Sequence, residues 1–331
     1  MLGGILGLLL GCASRPPKSA VVPLAPTSDE TFLIEDGKSS QASFSPHGDR
    51  LIYISELRTQ HLHPQVYERD LNLGTDYRLT YQNGSCLTPH YHPIQDWVLY
   101  ASTTDELKEN PPLLNPVSSP SFLPAQYQTP SEIYIHARTG LEITRVSDHI
   151  GYDGEAHFSQ DGRKIYWTRA IPPKRLTVVE LDRTTKQLRI LPGLGVNPSQ
   201  YIRRDKQGLT AWVDWGEDFT RPKIQLKLNQ NPAWEINSQF EVTKLDLNMS
   251  VDGRFLFWSQ RNAIHEKFEI WYYDISLKCA HMLTGDDSAD RRYPELSPDG
   301  TTLIYTWVQG ERSKVAARPF NPASGPCETG P

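Results

Sequence analysis

The chain has 331 residues, with 34 Lys and Arg against 39 Asp and Glu, 38% apolar residues, 22 Gly and 26 Pro. A net charge of −5 with the two signs interspersed offers no basic face to a phosphate backbone, which excludes nucleic acid as an expected partner. The apolar content suffices for two ordinary domains or one large all-β domain, and the lack of any apolar run of about 18 residues excludes a bundle of membrane-spanning helices.

Met1 to Leu10 is almost wholly apolar and leads into Leu9-Leu10-Gly11-Cys12, then Ala13, Ser14, charge and proline. The stretch is too short to cross a bilayer and reads as the core of a signal peptide. Leu-Leu-Gly-Cys resembles the bacterial lipobox. That resemblance implies lipid on the Cys12 thiol, attachment to membrane through this anchor alone and a periplasmic location, with Ala13 pointing to the outer membrane. Residues 1–12 are then the signal segment, 13–30, rich in Pro, Ser and Ala, a flexible tether, 31–320 the folded domain and 321–331 a tail.

From residue 31 onward a repeat governs the pattern. Five copies begin Phe44-Ser-Pro-His-Gly, Tyr91-His-Pro-Ile-Gln, Phe158-Ser-Gln-Asp-Gly, Met249-Ser-Val-Asp-Gly and Leu296-Ser-Pro-Asp-Gly, and nine residues after each start stands Tyr53, Tyr100, Trp167, Trp258 or Tyr305. A degraded sixth copy reads from Ile202 to Trp212 with one residue inserted. In each copy a strand runs into a turn, where Pro presets φ, Asp bonds the backbone ahead and Gly accepts positive φ, and a second strand follows. Third strands read Gln65-Val66-Tyr67, Glu132 to Ile135, Leu176 to Val179, Ile224 to Leu226 and Glu269 to Tyr272. Fourth strands are expected to end in Arg78-Leu79-Thr80, Arg145-Val146-Ser147, Arg189-Ile190-Leu191, Glu235-Ile236-Asn237 and Met282-Leu283-Thr284. Four strands per repeat of 40–50 residues is the signature of a propeller blade. The expected fold is therefore an all-β, six-bladed β-propeller of four-stranded antiparallel blades, its ring closed by the N-terminal strand Thr31-Phe32-Leu33-Ile34, which removes exposed edges. With Cys12 lipidated, Cys86, Cys279 and Cys327 leave at most one disulfide, for which Cys279 with Cys327 is preferred because the tail leaves a blade beside the one holding Cys279.

These repeats, above all Tyr152-Asp-Gly-Glu-Ala-His-Phe-Ser-Gln-Asp-Gly-Arg-Lys-Ile-Tyr166, resemble the WD-like repeats of TolB-type propellers over about residues 31 to 320. The resemblance implies a monomeric, non-enzymatic protein-binding scaffold of the bacterial periplasm, whose partner would be an envelope protein such as a peptidoglycan-associated lipoprotein docked on the propeller mouth. The α/β domain that precedes the propeller in TolB is not found here, and a lipid anchor is expected instead, so a lipoprotein cousin fits better than a strict Tol-Pal role.

One copy-to-copy interval is longer than the others by about 20 residues, and the excess, Asp105 to Pro130, holds six prolines. It is expected to overhang the mouth formed by interblade loops around Pro89, Tyr152, Gln200 and Tyr293, as a binding arm or as a solvated excursion. One position before each repeat start stand Ser43, His90, His157, Tyr201, Asn248 and Glu295, all able to hydrogen-bond, which places them near the axial channel. The candidate channel-mouth residues are accordingly His90, His157, Tyr152, Asp153, Glu155, Arg292, Tyr293 and Glu295. His90 and His157, on adjacent blades, are candidate metal ligands, the alternative being a water-filled polar channel. His92 is expected at the surface. No nucleophile elbow, His-Glu-x-x-His, phosphate loop or Cys-x-x-Cys is present, so neither a catalytic residue nor a cofactor is expected. The enzymatic rival is a metal-dependent carbohydrate-active enzyme resembling propeller lyases of the oligogalacturonate type, which have seven blades.

Overall fold

The structure is a computed structural model that describes residues 30–56, 63–105, 109, 123–140, 142–171, 175–236, 243–285 and 288–323. Cys12, the tether and Cys327 lie outside the described residues. After strand β1 (Thr31–Ile34), each repeat folds into a meander of four strands. Blade 1 is β2 (Ser39–Phe44), β3 (Arg50–Ser55), β4 (Gln65–Asp70) and β5 (Asp76–Arg78); blade 2 is β6 (Cys86–Tyr91), β7 (Trp97–Ser102), β8 (Glu132–Ala137) and β9 (Ile143–Arg145). Blade 3 is β10 (Asp153–Phe158), β11 (Lys164–Ile171), β12 (Arg175–Asp182) and β13 (Leu188–Ile190); blade 4 is β14 (Pro198–Arg204), β15 (Leu209–Asp214), β16 (Lys223–Leu228) and β17 (Trp234–Glu235). Blade 5 is β18 (Lys244–Met249), β19 (Phe255–Arg261), β20 (Phe268–Asp274) and β21 (Cys279–Met282). Blade 6 takes β22 (Asp290–Leu296), β23 (Thr302–Gln309) and β24 (Arg312–Pro319) from the C-terminal part of the chain, and β1 completes it as the outer strand. The pairings Thr31 with Ala317, Phe32 with Ala316 and Ile34 with Val315 close the ring as the sequence pattern requires.

The core is a set of seams between blades. The hydrophobic clusters take residues from neighbouring blades, as where Ile52 and Val66 of blade 1 meet Val98 and Tyr100 of blade 2, or Tyr166 and Val178 of blade 3 meet Tyr201 and Trp212 of blade 4. The aromatic of each repeat, Tyr53, Tyr100, Trp167, Trp212, Trp258 and Tyr305, is buried at such a seam, which explains its recurrence: a lone blade cannot bury its own face.

Two sequence expectations shift. The fourth strands stop one or two residues before their expected ends, because the chain bends away. Leu79, Val146, Leu191, Ile236 and Leu283 follow the strands, and their N–H groups still donate to Val66, Ile133, Val178, Ile224 and Ile270 carbonyls at 2.7–2.9 Å. His92 is buried rather than at the surface. It stands where blades 1, 3, 5 and 6 carry a turn serine such as Ser159, and its Nδ1 accepts the N–H groups of Ile94 (3.1 Å) and Gln95 (2.8 Å). The turn of blade 3 packs on it so closely that a Cβ on Gly162, whose φ is 71°, would fall 2.3 Å from the imidazole. Cys86 is a free, buried thiol, and Cys279 is disulfide-bonded; its expected partner, Cys327, is not among the described residues.

Candidate functional site

The innermost strand of every blade carries a β-bulge. Pairing with the second strand slips between Ser40 and Ser43, Leu87 and His90, Gly154 and His157, Ser199 and Ile202, Leu245 and Asn248, and Arg292 and Glu295. At the slip one non-glycine residue adopts positive φ: Gln41 (53°), Thr88 (45°), Glu155 (54°), Gln200 (50°), Asp246 (58°) and Tyr293 (56°). Such a conformation is uncommon for these residue types, and its recurrence at one position of all six blades marks it as part of the architecture. The bulge sets two levels of residues along the axis. The bulge residues form the level nearer the interblade loops. Two positions on, nearer the hairpin turns, lie Ser43, His90, His157, Ile202, Asn248 and Glu295. A cavity of about 70 Å³ runs between the levels.

Register corrects one expected member of the second level. Ile202 pairs with Ala211 as His157 pairs with Tyr166, so Ile202 holds the axial position and Tyr201 turns into the seam against Tyr166, with ring centroids 4.9 Å apart. The fourth copy starts at Arg203, whose polar side chain disguised it, and Trp212 then stands nine residues on with no insertion.

Hydrogen bonds from each level tie one blade to the next. Gln41 Oε1 accepts the Thr88 N–H at 2.7 Å, Glu155 Oε1 accepts Gln200 Nε2 at 2.8 Å, Gln200 Oε1 accepts the Leu247 N–H at 3.1 Å, and Asp246 Oδ2 accepts the Tyr293 N–H at 3.2 Å. In the second level Glu295 accepts Ser43 Oγ (3.0 Å) and the Phe44 N–H (2.7 Å) through Oε1, and Asn248 Nδ2 (3.2 Å) through Oε2. The rings of His90 and His157 stand side by side, centroids 4.1 Å apart at 40°. Among the described residues no group of three His, Cys, Asp or Glu converges as metal ligands, so this pair meets without a third ligand.

The remaining expected residues serve the frame of the channel. Arg169 Nε and Nη2 donate to the two oxygens of buried Asp153 at 2.8 and 2.7 Å. Arg292 holds Asp246 of the preceding blade in the same bidentate way. Tyr152 is buried at the interblade end. Against it lies a residue that the sequence reading did not single out, Tyr127, on the described C-terminal part of the long loop. Its ring meets Tyr152 (5.3 Å, 76°) and Trp215 (5.9 Å, 89°) edge-on, and its hydroxyl donates to Glu155 Oε1 at 3.3 Å. The available signal was Leu123 and Tyr127, two large residues, both buried, within a proline-rich loop.

Burial dominates the electrostatics. It raises the carboxyl of Glu155 to about 7, although hydrogen bonds from Gln200 and Thr168 oppose it, and raises that of Glu295 to about 7 and that of Asp153 to about 6. Burial, and then the charge of Arg204, hold His90 at about 4; burial, His90 and Arg204 push His157 well below the usual imidazole range. Both imidazoles are thus neutral at pH 7. A raised carboxyl binds its proton more tightly in the folded than in the unfolded chain, so its contribution to stability is full below about 4.5 and lost as pH rises through about 7. Glu155→Gln keeps an acceptor but has no proton to lose. Its stability relative to the parent is expected to rise between pH 4.5 and 7 and then level off, read from urea midpoints across that range. A difference independent of pH would contradict the burial of this carboxyl.

No protein-family model and no curated protein matches the chain. Among solved structures it is similar to TolB from Acinetobacter baumannii, at 14% identity and a TM-score of 0.59 over 86% of this chain and 64% of that one, less than two thirds of its length. It is also similar to a putative TolB from Agrobacterium tumefaciens (12% identity, TM-score 0.59, 86% and 91% of the two chains) and to oligogalacturonate lyase from Vibrio parahaemolyticus (12%, 0.54, 87% and 93%). At these identities the likeness is one of fold, and the chain folds as a six-bladed propeller of the TolB type.

Proposed function

We propose that the protein is a non-enzymatic binding module of the bacterial cell envelope, held in the periplasm by lipid on Cys12, and that it engages a protein partner across the interblade face. The observation that carries this reading is the character of that face. At the channel end Glu155 is tied by the Tyr127 hydroxyl and by Gln200, while three successive interblade loops expose large apolar side chains, Tyr81, Ile150 and Val196. A surface of this kind suits protein contact better than capture of a small substrate. The TolB-type fold and the lipobox-like Leu9-Leu10-Gly11-Cys12 agree with it. Crosslinking of the full-length protein in intact cells, followed by its recovery, is expected to yield an envelope protein. The triple change of Tyr81, Ile150 and Val196 to Ser, all at exposed positions, should reduce that yield about tenfold or more, as loss of interface anchors does. An unchanged yield would remove the interblade face as the interface.

The meeting of His90 and His157 keeps a second reading, a metal-dependent carbohydrate-active enzyme, on a propeller similar in fold to the lyase from Vibrio parahaemolyticus though with six blades. Purified protein that retains no metal after dialysis against excess manganese would end it.

A further inference from the structure

The face opposite the interblade loops holds a larger opening, a cavity of about 450 Å³ surrounded by the hairpin turns. Its base is built by a departure from the repeat. Where the turns of blades 1, 3, 5 and 6 begin with Ser45, Ser159, Ser250 and Ser297, whose hydroxyls donate to an aspartate of their own turn, blade 4 has Arg204. Strand alternation puts Arg204 on the same side as the axial Ile202. Its side chain crosses to blade 5, where Nε donates to the Ser250 carbonyl (3.1 Å) and Nη2 to the Met249 carbonyl (2.6 Å).

Both acceptors are neutral, and among the described residues no carboxylate lies within ion-pair distance of Arg204. The nearest acidic charges are Glu295, whose oxygens are already engaged by Ser43, Phe44 and Asn248, and Asp252. Burial accordingly lowers the guanidinium pKa to about 10, as expected of a cation short of counter-charge. Next to it His157 makes no hydrogen bond to protein among the described residues, and it lines both cavities with His90. Toward solvent Tyr91 and Phe158 line the cavity, and Ile94 and Val251 stand exposed at its rim beside Gln160 and the exposed Lys206. A cavity of this size with an apolar wall and a few convergent polar groups is the usual form of a small-ligand site.

We propose that this pocket binds a carboxylate carried on an apolar body, with the carboxylate against Arg204 and the imidazole of His157, and the apolar body between Phe158, Ile94 and Val251. A single half-buried guanidinium at the base of the pocket matches a monoanion, and the apolar side chains about its mouth disfavour a strongly hydrated dianion. The inference is independent of the binding role proposed for the interblade face, because it concerns the other end of the channel. The same head group is found on free apolar acids and at the C-terminus of a peptide ending in an apolar residue.

Titration calorimetry on the full chain tests it with hexanoate against hexanamide, and with a peptide ending in Leu, free against amidated. Hexanoate is expected to bind saturably and hexanamide about tenfold or more weaker, because only the acid makes a charge-assisted hydrogen bond. A free-ended peptide that outbinds hexanoate identifies a chain terminus as the source, and the reverse order a free acid. Arg204→Met should abolish the preference for the acid. Val251→Glu, at a solvent-exposed rim position that leaves the fold intact, should weaken hexanoate about tenfold by repulsion. Equal binding of acid and amide, no binding of either probe pair, or an unchanged preference in folded Arg204→Met would each overturn the proposal.

Discussion

Arg292→Ala is expected to cost about 3–5 kcal/mol, a large share of the roughly 5–15 kcal/mol that holds a folded domain together. Asp246 is buried on the innermost strand of blade 5, at the bulge, and Arg292 reaches it from the innermost strand of blade 6 with two hydrogen bonds, while the Tyr293 N–H adds a third. Removing the guanidinium leaves a buried carboxylate with one backbone donor and no counter-charge. The cost is thus the stranded charge more than the lost attraction. Asp246→Asn combined with Arg292→Ala removes that charge and should recover more than half of the loss, whereas two independent effects would add. Urea unfolding at pH 7 of the two single variants and the double variant measures this. A change below about 1 kcal/mol for Arg292→Ala would show the pair to be no better than an exposed ion pair.

The repeat made most of the fold legible, because each blade needs the same three local features: a turn, an alternating strand and one large aromatic to bury against its neighbour. Blade 4 shows where that reading fails. Its turn is a short 3-10 segment, Asp205–Gln207, ended by Gly208 at φ 64°, and its start position is occupied by Arg203, so counting from the nearest apolar residue shifted the axial position from Ile202 to Tyr201. The bulges were not legible at all. Gln41, Thr88, Glu155, Gln200, Asp246 and Tyr293 share a backbone conformation and no side-chain chemistry, so nothing in residue type announces them. His90, His157 and Glu295 were placed on the channel by period alone and Glu155 by its closeness to His157 in sequence, and all four line the channel cavity. Tyr127 and Arg204 were missed because each acts across blades, through contacts that no local pattern encodes.

Loss of the closing strand is expected to do more than any single core change. β24 would present a bare edge if β1 were absent, and blade 6 would lose the wall of its seam with blade 1. Ile34 is fully buried there among Phe44, Tyr53, Ile304 and Val315. Phe32 packs edge-on against Trp307 at 5.5 Å with the Lys314 ammonium 4.3 Å from its ring centroid, and Tyr305 donates to Glu30 at 2.8 Å. Ile34→Ala, which leaves the ladder intact and only empties the seam, is expected to cost about 2–5 kcal/mol, the range for large-to-small changes in a well-packed core. Ile34→Asp adds the burial of an unpaired charge, and should leave no cooperative unfolding transition at pH 7. Because the strand also covers the edge of β24, that variant should elute as aggregates in gel filtration, since an unpaired edge is a template for pairing with another chain. Ile34→Val, one methylene smaller, is the control, at about 0.5–1.5 kcal/mol. Should Ile34→Asp remain monomeric and melt within about 2 °C of the parent, which corresponds to less than about 1 kcal/mol, the ring would not depend on this strand for its closure.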